Sequence, residues 1–156
     1  MSAVELHSPD ELRDLYRELI LDHSRSPRHF GKLPEATHRA TGINPLCGDK
    51  LHLDLKVDAN DRIEDIAFEG SGCAISVASA SLLTDVVHGM QTEDAMQFFC
   101  AVTSRLTGNA DPDIDVGKLQ ALDGVREFPS RIKCATLAWH ALHSALADQS
   151  VTVSTE

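Results

Sequence analysis

The chain has 156 residues, 42% hydrophobic and 24% charged, with 14 Lys plus Arg against 24 Asp plus Glu for a formal net charge of −10. This is apolar material for one core of ordinary size, and it excludes disordered, collagen-like and fibrous classes. So acidic a surface repels phosphate backbones and anionic lipid, so we expect no nucleic acid and no membrane partner. No apolar run reaches the roughly 20 residues a bilayer span needs, and no basic segment leads into an apolar one at the N-terminus. The expected location is cytoplasmic.

Ser8-Pro9-Asp10-Glu11 carries a cap residue, Pro at the first helical position and Glu three after the cap, which together start a helix. Leu12, Leu15, Tyr16, Leu19 and Ile20 give it one apolar stripe, and Pro27 ends it by about His23 or Ser24. Arg28 to Thr37 has no period and reads as a loop. The chain then extends from His38 toward Ile43, and Asn44-Pro45 marks a turn. Leu51, Leu53, Leu55 and Val57 alternate with His52, Asp54 and Lys56 as a half-buried strand. Asp58 to Asp61 is a turn, and Arg62 to Glu69 the returning strand, with a phase slip between Ile63 and Ile66 that suggests a bulge.

After Gly70-Ser71-Gly72 the period becomes helical. Ile75, Ala78, Leu82 and Val86 mark one helix, closed by Gly89, and Thr92 is placed to cap the next, with Ala95, Phe98, Phe99, Val102 and Leu106 inward. Gly108 to Gly117 holds Asp111, Asp113 and Asp115. It lacks the glycine and distal Glu of a calcium-binding EF-hand and reads as an acidic surface loop. A short helix is expected from Val116 to Leu122, and a last one carries Ala135, Ala138, Trp139, Leu142 and Leu146. The tail, 149–156, is polar and expected to be disordered. Strands in a run followed by helices define an α+β domain: a small three-stranded antiparallel sheet with helices packed on one face.

Cys47, Cys73, Cys100 and Cys134 are unsuited to a disulfide framework in a reducing compartment. Three of them fall at element ends. Cys47 lies in a turn where Gly48 lets Cys47 and Asp49 face one centre, Cys73 opens a helix, and Cys134 sits in the first turns of the last helix, where the dipole favours thiolate. Three thiolates and one carboxylate suit tetrahedral zinc, and Arg131 and Lys133 could offset their charge. The spacing matches no compact zinc-finger pattern, so from spacing alone a metal site and scattered buried thiols both stay open.

Four blocks carry a resemblance. Leu21-Asp22-His23 with Pro27-Arg28 and Phe30-Gly31, then Asn44-Pro45-Leu46-Cys47-Gly48-Asp49, then Phe68 to Ser76, resemble the IscU/NifU-N iron–sulfur assembly family. Arg126 to Trp139 narrows the resemblance to its SufU branch. The likeness runs from about Asp10 to Ala147, within a single domain (1–156) whose family-like core covers about 8–148. Lys133 stands where scaffold-type members have His before the last cysteine, and Pro129-Ser130-Arg131-Ile132-Lys133 replaces their chaperone-recruiting Pro-Pro-Val-Lys segment. The stretch between Cys73 and Cys134 is longer, as in the SufU branch.

The resemblance implies a three-stranded sheet with packed helices, of the SufE/NifU-like kind, and one zinc per chain held by Cys47, Asp49, Cys73 and Cys134. It further implies that Cys47 accepts sulfane sulfur from a SufS-type cysteine desulfurase, and that a His of that partner replaces Cys47 on the metal when the two dock. Downstream iron–sulfur assembly proteins would receive the sulfur. Arg131 is a candidate to stabilise the acceptor sulfur or, equally, to pair with surface carboxylates. The alternative function is a scaffold on which iron, as a transient Fe–S cluster, occupies the same ligands; a third is a zinc-stabilised interaction module without transfer chemistry. Cys100 reads as a buried or incidental thiol, His23 as a residue orienting the following loop, and His140 and His143 as partner-facing or solvated.

Overall fold

The computed structural model describes residues 9–45, 48–107, 119, 121–122, 128–148 and 150–154. The element order is α1 (Pro9–Arg25), β1 (His38–Asn44), β2 (Asp49–Val57), β3 (Ile63–Ser71), α2 (Ala74–Val87), α3 (Thr92–Leu106), α4 (Pro129–Asp148) and β4 (Ser150–Ser154). Strands run in the order β3-β2-β1-β4. The expected three-stranded antiparallel sheet is therefore present. Its bulge lies where Lys56 faces Asp65 but Val57 faces Ile63, so that Glu64 is the extra residue on β3.

Strand alternation decides which face is covered. Leu51, Leu53 and Leu55 of β2 are buried on the side that meets α4, opposite Gly70, Phe68 and Ile66 of β3. His52 and Lys50 point the other way. Helix α2 is buried on nearly all sides because it packs against α1, β3 and α4 at once. Its Ala and Ser residues allow close approach, and the serine hydroxyls are bonded: Ser79 donates to Ala135 O and accepts from Trp139 Nε1 at 3.2 Å. Leu82, Leu83, Leu137, Trp139 and Leu142 complete the core between helices and sheet.

Three expectations change. Residues 150–154 form strand β4, parallel to β1 with Val151 opposite Ala40, instead of a disordered tail. Helix α4 returns the chain to β1, whose outer edge would otherwise leave backbone N–H and C=O groups unpaired. Leu15 is 47% exposed, so the covered stripe of α1 is narrower than its sequence period suggests, centred on Ile20 and His23. Thr92 is the first residue of α3 and not its cap; Gln91 occupies that position, and the Thr92 N–H is satisfied by Asp61 O at 2.8 Å. Of the short helix expected from Val116 to Leu122, Leu119, Ala121 and Leu122 are described; each is helical, and both leucines are buried. The acidic loop from Gly108 to Gly117 and the Ser8 cap lie outside the described residues.

Candidate metal centre

Three element ends meet at one end of the sheet. Strand β1 ends at Asn44 and β2 begins at Asp49, its direct register partner. Both side chains are turned to the covered face and buried. Gly48 takes φ +71°, a left-handed conformation that lets the chain turn straight into β2. Cys73 caps the N-terminus of α2 with extended backbone (φ −73°, ψ 164°), and its Sγ accepts the Ser76 N–H at 3.4 Å. The positive end of the α2 dipole therefore faces this sulfur. Cys73 N–H donates to Asp49 Oδ1 at 2.9 Å, tying α2 to β2. Gly72 makes this approach feasible, because a Cβ there would collide with Asp49 Oδ1 and lie 2.8 Å from Ser76 Oγ.

Cys134 enters from α4 and is fully buried. Its Sγ donates to Ser130 O at 3.6 Å and accepts from Asn44 Nδ2 at 3.7 Å. Arg131, three residues earlier on α4, sits against both sulfurs. The charge on Cys73 foremost, then hydrogen bonding to Cys134 and its charge, holds the guanidinium above its already high ordinary pKa. It is a fixed cation.

One ligand atom each from Asp49, Cys73 and Cys134 lies within 4.8 Å of the other two. Among the described residues, two buried side-chain atoms have no hydrogen-bond partner, Asn44 Oδ1 and Asp49 Oδ2. A buried carboxylate oxygen without a donor is unfavourable, and a cation is one way to satisfy it. Two thiols and a carboxylate are a donor set that fits zinc or iron. Thus the structure brings together Asp49, Cys73, Cys134 and Arg131 of the five residues expected from sequence. Cys47 lies outside the described residues; its flanking residues Pro45 and Gly48 belong to the β1–β2 turn.

The remaining candidates sit elsewhere. His23 is buried, with Nδ1 2.6 Å from Ser81 Oγ, and the same hydroxyl accepts Arg28 N–H at 2.8 Å, so His23 does orient the loop after α1. His140 and His143 pack on the Phe99 ring, edge-on and stacked. Burial, with His143 nearby, lowers the His140 pKa. Cys100 is exposed on α3, not buried, and takes no part in the cluster. Sequence reasoning passed over Asn44 as a site residue and used it only as a turn signal. The clue was its phase: Asn44 shares the inward face of β1 with Ala40 and Gly42, where a polar side chain needs a reason.

A three-stranded antiparallel core and a long C-terminal helix, with a carboxylate–dithiol cluster where turn and helix ends converge, define a small α+β class with a candidate metal site, and the chain belongs to the NifU-like N-terminal domain family of SufU and IscU iron–sulfur cluster assembly proteins. The NifU-like N-terminal domain model matches residues 15–154. The zinc-dependent sulfurtransferase SufU of Bacillus subtilis is 42% identical over 139 residues, covering 88% of this chain and 93% of the relative. The scaffold protein IscU of Streptococcus pyogenes is 42% identical over 137 residues, covering 87% and 85%. The crystal structure of a candidate SUF-system scaffold protein from Fervidobacterium islandicum superposes with a TM-score of 0.78, at 30% identity, covering 93% of this chain and 99% of the other.

Proposed function

We propose that this protein is a zinc-dependent sulfurtransferase: it accepts persulfide sulfur from a SufS-type cysteine desulfurase and passes it toward iron–sulfur assembly proteins in the cytoplasm. The observation that carries the reading is the convergence of Asp49, Cys73 and Cys134 donor atoms within 4.8 Å, with Asp49 Oδ2 buried and unpartnered. The SufU relative at 42% identity supports the choice of zinc and of transfer chemistry.

In this reading Asp49, Cys73, Cys134 and Cys47 hold the metal. Bound there, zinc supplies redox-inert positive charge that keeps the ligating sulfurs deprotonated. Asp49 stays fixed through its bond from Cys73 N–H, and Cys73 and Cys134 are each held by donors from the protein. Cys47, between β1 and β2 in the sequence, is the acceptor. Its thiolate attacks the outer sulfur of the desulfurase cysteine persulfide; the new S–S bond forms at Cys47, the old one breaks, and the desulfurase cysteine leaves as thiolate with the electron pair. No oxidant is consumed. Arg131 offsets the anionic charge that gathers at the sulfurs.

A second reading, a scaffold for a transient Fe–S cluster on the same ligands, is favoured by the equal identity to the Streptococcus IscU. Metal content separates the two: one colourless zinc per chain supports transfer, and labile iron with sulfide after anaerobic purification supports scaffolding. The direct test is mass spectrometry of Cys47 after mixing with desulfurase and cysteine. We expect one added sulfur atom on Cys47 and faster sulfide release. A Cys47→Ser variant that stimulates the desulfurase as the parent does would remove the acceptor role.

A further inference from the structure

Asn44 is wholly buried at the end of β1. It is the backbone register partner of Asp49, and its Nδ2 points at Cys134 Sγ at 3.7 Å. One residue therefore links two donors of the cluster that are 85 positions apart in sequence, and it lies three positions before Cys47 in the chain. Its other amide atom, Oδ1, is one of the two buried acceptors without a partner among the described residues. Turning the amide over would aim the oxygen at the sulfur. With Cys134 as a metal-bound thiolate, that would set two electron-rich atoms face to face and would strand the Nδ2 donors instead.

We propose that Asn44 is a positioning residue for the metal centre, whose Nδ2–H hydrogen bond to Cys134 Sγ fixes that sulfur as a thiolate ligand. The inference rests on the reading that Asp49, Cys73 and Cys134 hold a metal. Outer-shell donors of this kind orient a ligand, and an N–H aimed at an anionic sulfur is stronger than one aimed at a neutral group. Cys73 already has such a donor in Ser76 N–H at its helix end. Asn44 gives Cys134 the same service from a different element. The two preceding inward positions of β1 are Ala40 and Gly42, neither of which carries a side-chain donor, and Asn44 brings one to Cys134. An orphaned Oδ1 is tolerated because the amide is oriented for its nitrogen.

The test uses the full chain loaded with zinc or cobalt(II), and compares Asn44→Leu, of similar shape but without a donor, with the parent. Zinc affinity is measured by competition with a chromophoric chelator. The cobalt form adds a spectroscopic readout that a merely structural role would not move, the sulfur-to-cobalt charge-transfer band. We expect a 10- to 100-fold weaker zinc affinity and a charge-transfer band at lower energy, since a sulfur without its hydrogen bond is the easier one to oxidise. Should Asn44→Leu fail to fold, Asn44→Ala carries the same two measurements. Unchanged affinity with an unmoved band in a folded variant overturns the positioning role while leaving the metal centre standing. A parent chain that gives no cobalt–sulfur band at all overturns the metal centre and this inference with it.

Discussion

Strand β2 is bounded by two turns, and they are built on opposite terms. At the β2–β3 end, Asp58 Oδ1 accepts the N–H groups of Asn60 and Arg62 at 2.8 and 3.0 Å, Asp58 N–H donates to Arg62 O, and Asp61 O accepts from Thr92. At the β1–β2 end, Asn44 and Asp49 are buried and each leaves one oxygen without a donor. The first turn uses an acidic side chain to satisfy its own backbone, as turns ordinarily do, and can sit in water with nothing added. The second places its acidic side chain out of water, opposite two thiols. The first turn needs no ligand; beside the second, among the described residues, a buried carboxylate oxygen is left without a donor, and that is where we propose the metal binds.

The sharpest way to break this contrast is to add the metal. With zinc at a thousandfold over its dissociation constant, binding to the folded state alone stabilises by about 4 kcal/mol, which for a chain of this size raises Tm by roughly 8–16 °C. Asp49→Ala is expected to lose most of that increment and Asp58→Ala none, as read by calorimetry with and without zinc. Gly72→Ala comes next. Its Cβ would press on Asp49 Oδ1 and Ser76 Oγ, so zinc affinity is expected to fall about a hundredfold, or roughly 2.7 kcal/mol, in a chelator competition. An alanine chain that binds zinc as the parent does would mean that Asp49 is not needed where it stands.

Smaller effects sharpen the comparison further. Asp58→Ala strips two backbone amides of their acceptor and is expected to cost about 1–2 kcal/mol in a urea melt, equally with and without zinc. Arg131→Leu removes the fixed cation beside Cys73 and Cys134. We expect a loss in zinc affinity of a few-fold, larger at low ionic strength than at high, because Arg131 is exposed and salt screens it. A loss independent of salt would assign Arg131 a packing role instead.

How far the sequence foretold each turn follows from the same difference. The alternation from Leu51 to Val57 and the cluster Asp58 to Asp61 announce hairpin and turn, because period and turn chemistry are local properties. The phase slip that marks the Glu64 bulge is local too. The centre is not: Asp49, Cys73 and Cys134 meet only once sheet and helices are assembled, and their spacing alone left buried thiols as an equal reading. The resemblance to a known family supplied what spacing could not. Strand β4 was missed because parallel pairing to β1 is set by where α4 returns the chain, not by Ser150 to Ser154 themselves. Asn44 was misjudged because its turn signal concealed an inward strand phase.

The finest test of the contrast lies at Asp61, which takes φ +60° with an exposed side chain in the self-sufficient turn. A left-handed conformation is unfavourable for a residue with a Cβ, less so for Asp than for most, and free of that strain for Gly. Asp61→Gly keeps the two backbone bonds that matter, N–H to Asp58 O and O from Thr92 N–H, and sheds one charge from an acidic chain. Against this, glycine loses more backbone freedom on folding. The balance is a gain of about 0.5 kcal/mol, seen as a higher urea midpoint at unchanged slope. Because the two turns lie at opposite ends of β2 and share no partners, the gain should be the same with and without zinc. A gain that appears only in the metal-loaded chain would show that β2 transmits order from one end to the other, and the two turns would then have to be treated as one unit.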